Sequence, residues 1–82
     1  MDFQGAVITE HAAERMARRQ VSEADVRRVP ATPDVVASAR PGRVVAHGMT
    51  GTYLLRVFVD ADRVPAEVVT VYRTSKIDRY RS

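Results

Sequence analysis

The sequence predicts a single α+β domain spanning residues 1–82, with two N-terminal helices packed on a curved antiparallel sheet of about four strands. Three observations predict this class. Two segments with helix-capping residues come first, four segments rich in β-branched and aromatic residues follow, and only short turns separate those four. Helices followed by a run of strands are typical of α+β domains, and short turns join antiparallel neighbours.

The first helix is predicted from Thr9 to about Gln20. Thr9 is a suitable N-cap because its hydroxyl can accept a backbone N–H, and Glu10 follows in the first turn, where the helix dipole favours a carboxylate. The apolar residues of this segment recur at helical spacing and predict the buried stripe, which comprises Ala12, Ala13, Met16 and Ala17.

The second helix is predicted to begin after Ser22, a second N-cap residue. Val21 before the cap and Val26 after it are spaced to form a hydrophobic staple. Pro30 and Pro33 follow closely, so the sequence predicts a short helix that ends before them. We interpret this segment as purely structural.

Four strands are predicted after the helices, over residues 34–39, 43–47, 52–60 and 66–73. An apolar lead-in over residues 3–8 could add an edge strand. Successive residues of a strand face opposite sides of the sheet, so Val69 and Val71 share the core face with Arg73, whereas Tyr72 faces the other side.

The chain has 13 basic and 10 acidic residues, and the whole excess of +3 lies in residues 71–82. Lys76 is the only lysine, and every other basic residue is an arginine, which suits phosphate and flat rings. The distribution indicates an anionic partner, either nucleic acid or an acidic protein. A GC-rich genome could explain the preference for arginine over lysine, but it would not explain why the excess positive charge lies in residues 71–82.

Several classes of protein are disfavoured by what the sequence lacks. It has no cysteine, no signal peptide pattern and no apolar run of membrane-spanning length, which favours a cytoplasmic protein that does not enter a membrane. Its two histidines are far apart and match no metal-binding spacing, so we expect no metal and no cofactor. A glycine-rich phosphate loop and a serine nucleophile elbow are also absent from the sequence.

One face of the first helix carries a candidate catalytic group. His11, Arg15 and Arg18 fall within about 60° of one another at 100° per residue. An imidazole near the helix N-terminus is favoured in its neutral form, which can accept a proton, and neighbouring cations can hold a phosphate. The alternative is an ordinary solvated face with a surface histidine.

The last strand and the tail carry complementary groups. Cations there can neutralise a phosphate, hydroxyls can donate hydrogen bonds to it, and aromatic rings can stack on bases. These residues are Tyr72, Arg73, Thr74, Ser75, Lys76, Arg79 and Tyr80. Structural alternatives are a core position for Tyr72 and a cap for Thr74. His47, in the predicted strand 43–47, is a further candidate.

Two segments resemble a known family. Residues 9–22 (T-E-H-A-x-x-R-M-x-x-R-x-V-S) and 69–80 (V-T-V-Y-R-T-S-K-I-x-x-Y) resemble a family of small bacterial domains of unknown function, number 4258. That family is similar to the RelE/ParE-like and BrnT-like toxins, which have one or two helices followed by a curved antiparallel sheet. Many of those toxins are metal-independent ribonucleases that pair with an antitoxin.

The resemblance implies a RelE/ParE-like endoribonuclease toxin with an antitoxin partner. The catalytic residues would be His11, Arg15, Tyr72 and Lys76. The remaining residues would bind RNA, namely Arg18, Arg19, Arg73, Thr74, Ser75, Arg79 and Tyr80. Two alternatives remain open: a non-enzymatic module of the same fold that binds RNA or protein, and a toxin that acts on a protein target such as gyrase.

Overall fold

The computed structural model of the protein describes residues 5–76. Its elements are β1 (Val7–Ile8), α1 (Glu10–Arg19), α2 (Glu23–Ala31), β2 (Val35–Arg40), β3 (Arg43–Thr50), β4 (Tyr53–Asp60) and β5 (Glu67–Thr74). The strands form one sheet in the order β1-β5-β4-β3-β2. The predicted α+β class and both helices are confirmed, but the described sheet has five strands instead of about four.

The fifth strand is β1, which pairs parallel to β5 through Val7 and Ile8. The backbone N–H and the hydroxyl of Thr9 both donate to the carbonyl oxygen of Val68, at 3.1 and 3.0 Å. The sheet is therefore not wholly antiparallel. Turn residues predict pairing only between successive strands, and β1 pairs with the strand that is farthest from it in sequence.

Helix α1 begins and ends as the sequence predicts. Thr9 is its N-cap, with Oγ1 accepting from the backbone N–H of Ala12 at 3.1 Å. Gln20 ends it in the left-handed conformation at φ 57°, and its N–H donates to the carbonyls of the last turn. Thr9 therefore both starts α1 and connects it to β5.

The predicted apolar stripe of α1 is only partly correct. Ala12 is fully buried and Met16 packs against the core, whereas Ala13 and Ala17 are exposed. The side of the helix that faces the core instead includes Arg19, which is half-buried. A stripe of small alanines leaves the rotation of a helix weakly specified, so the contacts with β5 decide it.

Helix α2 has the predicted cap, since Ser22 Oγ accepts from the backbone N–H of Asp25 at 3.1 Å. The helix nevertheless continues through Pro30 to Ala31. Pro30 lies in the last turn and is fully buried. Packing of its ring against the protein interior offsets the missing backbone donor at that position.

The core lies between the two helices and one face of the sheet. Its fully or nearly fully buried members are Ala6, Ala12, Val21, Val26, Val29, Ala46, Leu55, Val57, Val59, Val68 and Val71. Gly48 lets α2 approach β3 closely, because a Cβ at this position would lie 3.0 Å from Cγ2 of Val29. Alternation along residues 52–60 places Leu55, Val57 and Val59 on one face of β4, and all three belong to this core.

A register shift in β5 changes which valines face the core. Phe58 pairs with Thr70, but Val59 pairs with Val68, so Val69 is an extra residue between them. As a result Val68 is buried with Val71, and Val69 is only half-buried. The prediction that Val69 belongs to the core is therefore wrong, because simple alternation does not anticipate a bulge.

The second face of the sheet carries no helix among the described residues, yet several of its side chains are buried. Val45, His47 and Leu54 are all at most 5% exposed. No described helix is long and apolar enough to cross a membrane. The buried histidine on this helix-free face marks the region where the candidate functional residues meet.

Candidate functional site

Helix α1 and strand β5 lie side by side and run in the same direction. Thr9 binds Val68 at one end, and the guanidinium of Arg19 lies over the Tyr72 ring at the other. The helix is about 15 Å long at 1.5 Å per residue. Residues 68–72 span about 13 Å at 3.3 Å per residue, so the two elements match in length.

A row of three side chains follows α1. His11, Arg15 and Arg19 are spaced four residues apart, so they are neighbours along one side of the helix. His11 is exposed, and Arg15 and Arg19 are half-buried. Arg18 instead is exposed and forms an ion pair with Glu14 at 3.0 Å. Arg19, and not Arg18, therefore extends the row toward the sheet.

Arg19 ends this row at a group of residues on the helix-free face, which we call the Tyr72 cluster: Arg19, His47, Arg56 and Tyr72. The guanidinium carbons of Arg19 and Arg56 lie 5.1 and 5.9 Å from the centroid of the Tyr72 ring. Arg56 also lies 5.1 Å from the Phe58 ring. Both arginines are within the range of cation–π attraction, so the two positive charges are held around one aromatic ring.

Strand register brings the Tyr72 cluster together. His47 of β3 lies directly opposite Arg56 of β4, which in turn lies opposite Tyr72 of β5. Among the described strands, none pairs with the outer edge of β5 beyond Ile8. Arg19 can therefore reach past this edge from the helix side to the Tyr72 ring.

His47 fixes the position of Arg56. The Nε–H of Arg56 donates to Nε2 of His47 at 3.2 Å. An arginine is always charged and can only donate, so Nε2 is the acceptor and the proton of the neutral imidazole lies on Nδ1. His47 is only 5% exposed. Because the His47 ring is buried, its role in the cluster is to hold the Arg56 guanidinium in position.

Arg19 is held differently from the helix arginines that form ion pairs, Arg18, Arg27 and Arg28. Its Nε is buried and has no hydrogen-bond acceptor among residues 5–76. A buried donor without an acceptor costs about 1–3 kcal/mol, a cost that the ring contact must offset. Four other arginines are instead paired with carboxylates, in Arg18–Glu14, Arg27–Glu23, Arg28–Asp25 and Arg43–Asp60.

The end of β5 forms a compact turn. The hydroxyl of Thr74, which is buried, accepts from the backbone N–H of Lys76 at 3.0 Å. Ser75 and Lys76 are exposed. Thr74 therefore shapes the turn and presents Lys76 to solvent, which agrees with the structural alternative considered for Thr74. Arg79 and Tyr80 lie outside the described residues.

Arg73 and Tyr72 lie on opposite faces of the sheet, as alternation predicts. Arg73 is half-buried, and its guanidinium lies 4.4 Å from the centroid of the Tyr53 ring. The structure thus brings Arg73 into contact with an aromatic ring, but away from the Tyr72 cluster.

The predicted catalytic residues fall at two ends of the α1–β5 pair. His11 is near the end where Thr9 binds Val68, whereas Lys76 follows the opposite end of β5. Residues 68–74 span about 20 Å at 3.3 Å per residue. His11 and Lys76 are therefore too far apart to contact one phosphate, and Tyr72 and Arg19 lie between them.

Arg56 is a site residue that the sequence reasoning misses. It lies within the apolar stretch Leu54–Val59, where a charged residue is unusual. A charged residue in an apolar strand could have indicated a functional residue from the sequence alone. Only the pairing of β3, β4 and β5, however, places Arg56 beside His47 and Tyr72. Within residues 5–76, no three side chains of His, Asp or Glu lie together as a metal site would require.

Comparison with known families gives one match. The family described as Domain of unknown function (DUF4258) matches residues 8–73 of this protein, which is most of the chain. The chain belongs to the DUF4258 family. The DUF4258 match includes the row on α1 and the whole Tyr72 cluster, and it ends before Thr74. Searches of curated proteins and of solved structures find no match.

Proposed function

We propose that this DUF4258 protein is a metal-independent endoribonuclease that acts in the cytoplasm as the toxin of a bacterial toxin–antitoxin pair. In this proposal its fold is that of the RelE/ParE-like and BrnT-like toxins. One observation carries the proposal: His11 and two arginines, Arg15 and Arg19, follow α1 to the Tyr72 ring, which the guanidinium groups of Arg19 and Arg56 flank. Cations and rings in this arrangement suit the phosphates and bases of RNA.

The reaction would take place at the exposed end of the row. His11 accepts the proton of a ribose 2′-hydroxyl, and the 2′-oxygen attacks the adjacent phosphorus. Arg15, one helical turn away, stabilises the negative charge that builds on the phosphate. The bond to the 5′-oxygen breaks and this oxygen takes a proton from water. The hydroxide that remains takes the proton from His11, which returns the imidazole to its neutral form. The products are a 2′,3′-cyclic phosphate and a 5′-hydroxyl.

The Tyr72 cluster would bind the neighbouring nucleotide. Arg19 and Arg56 provide positive charge around the ring, and base–aromatic stacking contributes about 1–3 kcal/mol per base. Lys76, at the far end of β5, would contact a different phosphate from the one that is cleaved. The RNA would thus lie along α1 and β5, and an antitoxin with an acidic or apolar segment would cover the same surface.

The second candidate is a non-enzymatic RNA-binding protein of the same fold. The separation of His11 from Lys76 favours it, because the residues expected to act on one phosphate are distributed along a surface. In this alternative the Tyr72 cluster still binds RNA, but the protein does not cleave it.

Cleavage of total cellular RNA and of purified tRNA in EDTA tests the proposal. We expect the parent protein to cleave, and His11→Ala to lose cleavage by about 100-fold or more, the usual contribution of a general base. Arg63→Ala is the matched control, since Arg63 is an exposed arginine that contacts Asp60 and Glu67 instead of the row. The control should cleave like the parent.

The binding measurement separates the alternatives. Tyr72→Ala should weaken RNA binding, whereas Tyr72→Phe, which keeps the ring, should retain it. Salt-dependent RNA binding without cleavage would replace the proposal by the binding module. Neither cleavage nor binding would contradict both and direct attention to a protein target. Unchanged cleavage by His11→Ala would remove the proposed base.

A further inference from the structure

Strand β4 begins with an aromatic ring that the proposed RNA contacts do not use. Tyr53 is the first residue of β4 and is 40% exposed. Arg73 lies directly opposite Leu55, so Arg73 and Tyr53 are diagonal neighbours on the face of the sheet that carries the helices. The guanidinium carbon of Arg73 lies 4.4 Å from the centroid of the Tyr53 ring, closer than either guanidinium approaches the Tyr72 ring. We call these two residues, Tyr53 and Arg73, the Tyr53 pair.

The positive charge of the Tyr53 pair has no carboxylate partner among residues 5–76. Arg73 forms no ion pair within this part of the chain, and its contact there is the Tyr53 ring. Asp25 lies at the same end of the sheet, because Thr50, the residue opposite Tyr53, donates a hydrogen bond to it. The ion-pair partner of Asp25, however, is Arg28. The Tyr53 pair therefore presents an available cation beside a partly exposed ring.

The Tyr53 pair and the Tyr72 cluster lie at the same end of β5. Tyr72 and Arg73 are consecutive residues of this strand, so their side chains lie on opposite faces of the sheet. The strand ends at Thr74, and the exposed Lys76 follows in the turn that the Thr74 hydroxyl closes. A polyanion bound at the Tyr72 cluster can thus pass Lys76 and reach the Tyr53 pair around the end of β5.

We propose that the Tyr53 pair binds a further nucleotide of the same RNA, and that the ligand of this protein is therefore single-stranded RNA. The inference rests on the RNA binding of the proposed function and narrows its substrate class. Bases stack on rings and guanidinium planes only when they are free of a duplex. A double helix also resists the sharp bend that leads from one face of the sheet to the other, whereas a single strand can follow it.

An acidic protein segment is the other partner that the charge of Arg73 allows. A carboxylate would pair with the edge of the guanidinium group and would leave the Tyr53 ring unused. A nucleotide uses both members of the pair, because its base stacks on the ring and its phosphate meets the cation. The same combination of ring and guanidinium recurs at the Tyr72 cluster on the opposite face, with Lys76 between the two, which favours RNA.

Binding of a strand of about 12 nucleotides, within the site sizes of about 4–16 nucleotides typical of single-strand binding folds, tests the inference. The strand carries 2′-O-methyl groups, which remove the nucleophile of the proposed cleavage. We expect the parent protein to bind this strand more tightly than the same strand annealed to its complement. Tyr53→Ala should weaken binding of the single strand by about tenfold or more, and Tyr53→Phe should retain it.

The salt dependence of binding tests Arg73 separately. Arg73→Gln should lower the slope of log affinity against log salt concentration by about one, because one phosphate contact is lost. Val64→Ala and Arg63→Gln are the matched controls, since both residues are exposed and follow the opposite end of β4. Both controls should bind like the parent. Circular dichroism checks the folding of each variant, and Arg73→Gln decides alone where Tyr53→Ala does not fold.

The possible results separate this inference from the proposed function. A folded Tyr53→Ala that binds the single strand like the parent, while Tyr72→Ala weakens binding, would overturn the role of Tyr53 and leave the proposed function in place. Equal affinity of the parent for single strand and duplex would overturn the substrate class. Poly-glutamate binding that only the Tyr53 and Arg73 variants lose, with RNA binding unchanged, would assign the pair to an acidic protein instead. A parent that binds no RNA would contradict both proposals.

Discussion

Arg56 is a cation within a strand that is otherwise mostly apolar. Its side chain is half-buried, which would be costly without partners. Three partners stabilise this charge. The guanidinium carbon lies 5.1 Å from the centroid of the Phe58 ring and 5.9 Å from that of the Tyr72 ring. The Nε–H donates to Nε2 of His47 at 3.2 Å. The position of this charge is therefore set by its neighbours, and His47 is the residue that fixes its direction.

The His47–Arg56 hydrogen bond predicts a measurable coupling. His47→Phe keeps a flat ring but removes the acceptor, so we expect the free energy of unfolding to fall by about 1–3 kcal/mol. Urea unfolding at constant slope measures the loss. In an Arg56→Met background the same substitution should cost less, because the donor is gone. Equal costs in the two backgrounds would contradict the coupling.

At the scale of elements, α1 is held against β5 at both of its ends. Thr9 caps the helix and also binds Val68, while Arg19 lies over Tyr72. The Thr9 hydroxyl therefore makes two hydrogen bonds: it accepts from the backbone N–H of Ala12 and donates to the carbonyl oxygen of Val68. The row on α1 keeps its place beside the sheet because the helix cannot slide without breaking one of these contacts.

Thr9→Ala should therefore destabilise the protein more than the loss of a simple cap. Loss of a Thr cap alone typically costs about 0.5–2 kcal/mol, and we expect the upper part of this range because the bond to Val68 is lost as well. Thermal unfolding measures the change. Thr9→Ser is the control, since it keeps the hydroxyl and should stay near the parent. A serine variant as unstable as the alanine variant would assign the effect to the methyl group.

At the scale of the whole molecule, several carboxylates are committed to structural contacts. Arg43 donates two hydrogen bonds to the buried Asp60, which lower the pKa of that carboxyl below its ordinary value. The hydroxyl of Thr50 donates to Asp25 and lowers its pKa in the same way, with further help from Arg28. These contacts join β3 to β4 and α2 to β3.

The lowered pKa values predict a loss of stability in acid. A carboxyl with a lower pKa in the folded state binds protons less readily there than in the unfolded chain, so its contribution is complete above the unfolded pKa of about 3.9. It is lost as the pH falls through the folded pKa. Urea unfolding between about pH 7 and pH 3 should show this decline, most of it below about pH 5.

Asp60→Asn is the variant that checks the acid prediction. It removes one of the two titrating groups, so the fall in stability with acid should become shallower, while stability at neutral pH decreases because Arg43 loses its charged partner. An unchanged slope in Asp60→Asn would show that Asp60 does not contribute.

Much of the fold follows from local sequence patterns. Thr9 and Ser22 start the helices as predicted, the four later strands lie near their predicted positions, and Leu55, Val57 and Val59 face the core. Capping hydroxyls, alternation and turn residues act over a few positions, so they can be interpreted without knowledge of the partner segments.

The candidate site was predicted only in part. The sequence places His11, Arg15 and Arg18 on one face of a helix and Tyr72 opposite Arg73 on a strand. The structure agrees for Tyr72 and Arg73, but Arg19 continues the row of His11 and Arg15, whereas Arg18 pairs with Glu14. It does not bring His11 to Lys76, and it adds Arg56 and a buried His47. These outcomes depend on which strand lies beside which, and at what register.

The sequence by itself therefore determined the helices, the strands that follow them and the faces of β4, because these depend on contacts within a few residues. Only the tertiary structure decided the parallel pairing of β1 with β5, the bulge at Val69 and the meeting of Arg19, Arg56 and His47 around Tyr72. The physical reason is that register and helix rotation are set by packing between segments distant in sequence, where a shift of one residue moves a side chain to the other face.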